Sequence, residues 1–134
     1  MADAVASQTI QDGQRTAVMR FTNVSDGTGE SAVVKVDVSA LAANSAGQAC
    51  TEVSIQRIYW ATVGMSVQLD FDASTNVLAI GLPADSTGDE YYDNFTAIPN
   101  NAGSGKTGDV LVTTTGHSSG DTYMIILELI KKYD

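Results

Sequence analysis

Any chemistry in this 134-residue chain must come from a small set of reactive side chains, so their spacing is the place to begin. Gly103-Ser-Gly-Lys-Thr107 has the outline of a phosphate-binding loop. The full pattern needs another glycine where Asn100 stands, and it must open a helix whose amides hold the anion. Thr107 leads instead into Asp109-Val-Leu-Val, a strand-forming run, so a plain loop between strands is expected. Asp70, Asp72, Ser74 and Asn76 alternate like the start of a calcium loop. That loop also needs Gly at its sixth position and Glu at its twelfth. Thr75 and Gly81 stand there, which favours a turn closed by side-chain to backbone hydrogen bonds. Asp85, Asp89, Glu90 and Asp93 surround Tyr91 and Tyr92, a combination that could serve acid–base work on a sugar or stack against one. No opposing carboxylate can be placed from the sequence, and the tyrosines favour an interaction surface. His117 sits between Gly116 and Ser118 in a turn, without the His or Cys partners a metal needs. Ser118 and Ser119 adjoin it without the strand–turn–helix elbow of a nucleophile. A solvated turn histidine is expected, and Trp60 reads as core. No catalytic, cofactor-binding or metal-binding residue is expected.

Charge narrows the partners further. Sixteen Asp and Glu face seven Lys and Arg, a net charge of -9. Of the cations (Arg15, Arg20, Lys35, Arg57, Lys106, Lys131 and Lys132), only the last two are adjacent. Nucleic-acid binders gain affinity from clustered cations that release counterions, so neither nucleic acid nor an anionic membrane is an expected partner. The single Cys50 cannot form an internal disulfide, and reads as a small buried apolar residue or an intersubunit pair. The opening Met-Ala-Asp-Ala-Val-Ala-Ser-Gln lacks the basic start and apolar run of a signal peptide. Asn23-Val-Ser and Asn94-Phe-Thr match the glycosylation sequon.

The elements that must position these residues show a period of two. Ala17, Met19 and Phe21 share one face, as do Val34, Val36 and Val38 after Asp26-Gly-Thr-Gly29, and the two runs read as a hairpin. Residues 39–47 allow one helical turn capped by Ser39. Residues 52–63 form a long strand whose apolar face changes near Arg57, which predicts a bulge or bend. Residues 66–71 and 76–82 make a second hairpin. Residues 83–89 read as a polar loop, 90–98 as an aromatic strand and 100–108 as a loop. Residues 109–115 and 122–131 pair around His117-Ser-Ser-Gly120, with a terminal helix the alternative for the last run. About eight strands with short polar turns predict an all-β fold, a single antiparallel β-sandwich (jelly-roll-like) or barrel. Residues 1–14 read as an N-terminal arm and 15–134 as one β domain.

Three stretches carry a resemblance. They are Arg15-Thr-Ala-Val-Met-Arg-Phe-Thr-Asn-Val-Ser-Asp-Gly-Thr-Gly-Glu-Ser-Ala-Val-Val-Lys-Val-Asp-Val-Ser-Ala-Leu41, Ile98-Pro-Asn-Asn-Ala-Gly-Ser-Gly-Lys-Thr-Gly-Asp109 and Gly116-His-Ser-Ser-Gly-Asp-Thr-Tyr123. Together they resemble small virion structural proteins of tailed bacteriophages, particularly marine and cyanobacterial phages. The resemblance implies a non-enzymatic capsid decoration (cement) protein, made in the host cytoplasm and bound to the capsid surface. Its implied partners are the major capsid protein or other virion proteins and further copies of itself, often as a trimer. A neck, tail or fibre accessory protein is the alternative within the virion, and a glycan-binding module for host attachment is the alternative outside that class. The loops 83–89 and 100–108, with the N-terminal arm, are the expected contact surface. Tyr91, Tyr92, Asn100, Asn101 and Lys106 are the partner-binding candidates.

Overall fold

Alternation of buried and exposed side chains decides which way each strand faces. In the computed structural model, which describes residues 3–92 and 97–133, nine strands form two antiparallel sheets. They are β1 (Ala4–Asp12), β2 (Thr16–Val24), β3 (Val33–Val36), β4 (Glu52–Val63), β5 (Ser66–Phe71), β6 (Val77–Leu82), β7 (Thr87–Tyr91), β8 (Val110–Thr115) and β9 (Thr122–Lys132). One sheet has the order β1-β2-β9-β4-β7, the other β3-β8-β5-β6. Phe21, Ile55, Ile58, Ile125, Leu127 and Leu129 of the first face Val36, Val67, Leu69 and Phe71 of the second, all at most 2% exposed. Each such side chain contributes roughly 1.5–3 kcal/mol by leaving water.

The pairing pattern identifies the wind. Apart from β1, the strands pair in nested fashion: β5 with β6, β4 with β7, β3 with β8 and β2 with β9. That is one antiparallel ribbon doubled on itself. Rolling the ribbon adds β9 to β4 and β8 to β5. Nested pairing closed by that roll is the jelly roll, here an open sandwich with one extra edge strand. The barrel alternative falls away, because β1, β7, β3 and β6 end their sheets.

This wind corrects two expected hairpins. β2 and β3 lie in different sheets, and so do β8 and β9. The turn signals at Asp26-Gly-Thr-Gly29 and His117-Ser-Ser-Gly120 mark corners where the ribbon crosses between sheets. The two corners run side by side: Ser25 N–H donates to the Asp121 carbonyl (2.7 Å), and Gly120 N–H to the Ser25 carbonyl (2.8 Å). The hairpin of β5 with β6 forms as expected, and the last run is a strand rather than a helix. The expected bulge is present, since the register of β4 on β9 shifts between Ile55 and Arg57.

Three boundaries differ. Residues 4–12, expected in an arm outside the domain, form β1 along the edge of the larger sheet, with residues 4–11 exposed. β7 begins at Thr87, inside the expected polar loop, and ends at Tyr91, so it meets the expected 90–98 run only at Glu90 and Tyr91, while residues 93–96 lie outside the described residues. The helical turn is a 3-10 turn at Val38–Ala40, capped by Asp37 rather than Ser39, because the Asp37 carboxylate accepts the Ser39 N–H.

Candidate functional site

On strands of the five-stranded sheet, every second residue turns away from the core. Register sets Glu128 of β9 beside Arg57 of β4, and Arg57 beside Tyr91 of β7. One step along, Ile126 lies beside Tyr59, and Tyr59 beside Asp89. The Arg57 guanidinium lies 4.6 Å from the Tyr59 ring centroid and 5.3 Å from that of Tyr91. It also holds Asp89 through two bonds, Nε to Oδ1 at 3.0 Å and Nη2 to Oδ2 at 2.9 Å. Glu128 approaches its Nε at 3.7 Å. The hydrogen bond to Asp89 raises the Arg57 pKa, and the same bond lowers that of Asp89. The result is an outward cluster in which a fixed cation stacks on two tyrosines and both its acidic neighbours are engaged. Such Arg and Tyr side chains suit protein contact.

The other expected contact residues lie apart from this cluster. Tyr92 is half-buried against the core, where burial raises its pKa, and its N–H bonds the Gln56 carbonyl. Tyr91 is exposed, so the two tyrosines do not form one platform. Asn100 is buried and its Oδ1 accepts the Ala102 N–H, which makes it part of the loop's own structure. Asn101 is exposed. Lys106 Nζ pairs with Glu52 Oε1 at 2.8 Å. Asp93 and Phe95 lie outside the described residues.

The two contact loops do not converge. Ser86 accepts from Thr62 N–H, and Thr62 is paired with Tyr123, near the end of the sandwich that holds Val24 and Thr122. Lys106 reaches Glu52, which pairs with Lys132 at the opposite end. β1 spans the distance between, from Ala4 beside Val24 to Asp12 beside Ala17.

The remaining motifs serve the fold. The loop at Gly103-Ser-Gly-Lys-Thr107 is laced onto the β5–β6 turn by Ser74 N–H to the Ser104 carbonyl and Thr107 N–H to the Asp72 carbonyl. Asp72 accepts the Thr107 hydroxyl at 2.8 Å, and Asn76 accepts the Ala73 N–H, the side-chain closed turn expected there. His117 Nδ1 lies 3.2 Å from the Thr114 hydroxyl, and its ring occupies the space that a side chain on Gly29 would fill. It is packed at a corner rather than solvated. Trp60 is half-buried, with its indole N–H bonded to Ser86 Oγ at 2.9 Å and its ring lying over Gly88, where any Cβ would collide. Cys50 is a buried free thiol whose pKa burial raises. Asn23, one sequon residue, is 1% exposed, and Asn94 lies outside the described residues.

Sequence reasoning missed a polar network in the core near the paired corners. Lys35 Nζ and Glu30 Oε2 are 2.6 Å apart, with side chains 4% and 6% exposed. Glu30 Oε1 also accepts the Tyr123 hydroxyl at 2.5 Å and Asn23 Nδ2 at 2.8 Å. Burial, reinforced by Glu30, raises the Tyr123 pKa. Asn23 Nδ2 also donates to Asp3, whose carboxylate accepts the N–H groups of Asp26 and Gly29 at 3.1 Å each. Partial burial opposes ionisation of Asp3, but these hydrogen bonds outweigh it and lower the pKa to about 2. The alternation expected for Val34, Val36 and Val38 fails here, because a bulge between Val34 and Val36 leaves Val34 exposed and buries Lys35 beside Val36. A similar clamp closes the other end, where the buried Lys131 ammonium meets Asp12 and the carbonyls of Gly13 and Ala42.

Among the described residues no group of three or more His, Cys, Asp or Glu is placed to hold a metal ion. Comparison with protein-family models, curated proteins and solved structures finds no match.

Proposed function

We propose that this chain is a non-enzymatic structural protein of a virus particle, a decoration (cement) protein on the outside of a tailed-phage head. The observation that carries the reading is the jelly-roll wind, a fold in which viral capsid domains are built. A fold alone does not define a function, so the resemblance of residues 15–41, 98–109 and 116–123 to tailed-phage virion proteins stands beside it. The ion-paired and hydrogen-bonded corners suit this role. A cement protein acts by burying surface across neighbouring shell subunits, and a scaffold with pinned loops loses little entropy when it binds. Its acidic surface also suits the outside of a shell packed with DNA.

A particle reconstruction with quantitative protein content tests the proposal. A decoration protein occupies many symmetry-equivalent sites over the head. A few copies confined to the neck or tail would move the chain to an accessory role there. Absence from purified particles would overturn the virion reading. A glycan-binding role is less well supported, because Arg57 already stacks on both outward tyrosines, Tyr59 and Tyr91.

A further inference from the structure

The chain has only seven Lys and Arg, and four of them are tied closely to carboxylates. Lys35 meets Glu30, Lys106 meets Glu52 and Lys131 meets Asp12, while Arg57 holds Asp89 and approaches Glu128. The other three, Arg15, Arg20 and Lys132, stand on the outward side of the five-stranded sheet. Arg20 alternates with the buried Met19 and Phe21 of β2, so it points away from the core. Arg15, just before β2, lines a depression of about 250 Å³ with Thr16, Gln56 and Ile130. Lys132 lines a second depression that shares Ile130. Among the described residues no carboxylate pairs with Arg15 or Arg20. Lys132 stands 4.0 Å from Glu52, a buried carboxylate that Lys106 already holds at 2.8 Å. The acids of this face are engaged and three of its cations are not.

We propose that this face binds an acidic segment of a partner protein, one carboxylate seated on Arg15 in the depression and another on Arg20. Charge complementarity carries the argument: in a chain of net charge -9, the unengaged cations gather on one side of one sheet. At about 0.1 M salt the Debye length is about 10 Å, so a ligand on this face feels these cations more than the distant acids. The depression is furnished for a carboxylate. The β4 bulge falls at Gln56, whose side chain stands beside the Arg15 guanidinium and the Thr16 hydroxyl as a further donor. Arg15 and Arg20 are five residues apart, roughly 16 Å along an extended strand, which is more than one small anion spans. Glu128, beside Val18 on the row between them, opposes a uniformly charged chain such as a nucleic acid or a polyuronate. A peptide avoids it by laying apolar side chains over the half-buried Val18, Ile126 and Ile130. The inference does not rest on a virion role, and its test uses the isolated chain.

Fluorescence anisotropy of a labelled peptide of repeated Glu-Ser-Leu-Ser units, about twelve residues long so as to span both arginines, decides it. At about 100 mM salt the full chain should bind this peptide with a Kd of roughly 10–300 μM, and should ignore its Lys-Ser-Leu-Ser counterpart. Arg15→Gln should weaken binding about 5-fold, and Arg15→Gln with Arg20→Gln at least about 10-fold. Both positions are exposed, so the melting temperature should stay where it is. Leu78→Glu, exposed on the other sheet, changes the net charge by the same single unit as Arg15→Gln and should alter the Kd less than about 2-fold. No binding up to about 1 mM would overturn the proposal. So would equal binding of the lysine peptide, full affinity in the double arginine variant, or as large a loss from Leu78→Glu. Tighter binding of polygalacturonate than of the peptide would overturn it in favour of an acidic sugar.

Discussion

Replacing Lys35 with methionine tests how the core tolerates its charges. The substitution keeps the length of the side chain and removes the cation 2.6 Å from Glu30. Glu30 would then sit in the core, still accepting from Tyr123 and Asn23 but with no positive partner. Removing one member of a buried pair typically costs about 3–5 kcal/mol, because the remaining charge has lost its compensation. An exposed pair would cost at most about 1 kcal/mol, and side chains only 4% and 6% exposed put this one in the first class. Unfolding entropy near 2.1 cal/mol/K per residue gives roughly 0.28 kcal/mol/K for 134 residues. The melting temperature should therefore fall by about 10–18 °C. Thermal and urea unfolding, followed by far-ultraviolet circular dichroism, measure the loss. Adding Glu30→Gln to the variant should recover part of it, since the stranded charge is gone while an acceptor for Tyr123 and Asn23 remains. A loss below about 1 kcal/mol would refute the reasoning, as would a double variant no more stable than Lys35→Met alone.

Asp3→Asn should speed amide exchange in β1 while the global melt moves little, because the lost acceptor pins only the edge strand through Asp26, Gly29 and Asn23. Acid should loosen the parent chain in the same place. The folded pKa of about 2 lies below the ordinary 3.8, so the stabilisation is complete above about pH 4 and is lost as pH falls through 2. Exchange in β1 that ignores both changes would remove the latch. Gly88→Val should push the single Trp60 off its seat, shift its fluorescence to the red and cost about 1–3 kcal/mol. An unchanged spectrum would show that the ring has room to spare.

Strand identity was legible because burial on one face writes a period of two into the sequence. Ala17, Met19 and Phe21 are 0%, 8% and 0% exposed, as their alternation required. Strand partnership was not legible, and the reason lies in the wind. In a rolled ribbon nearly every chain neighbour crosses to the other sheet, so a turn signal marks a corner as often as a hairpin. Asp26-Gly-Thr-Gly29 and Asp72-Ala-Ser-Thr75 look alike as text, yet the first links two sheets and the second a true pair. β1 escaped notice for a related reason. Residues 4–11 are exposed, so no face imposed an apolar pattern on Val5, Ser7 and Thr9.

The site follows the same logic. Tyr91 was legible as an exposed aromatic, but its partnership with Arg57 and Tyr59 depends on register between β4 and β7, which no local pattern encodes. Lys35 misled in the opposite direction, since charge in an alternating strand normally means water, and the bulge that breaks the alternation of β3 depends on its pairing with β8. Both errors come from reading each strand alone.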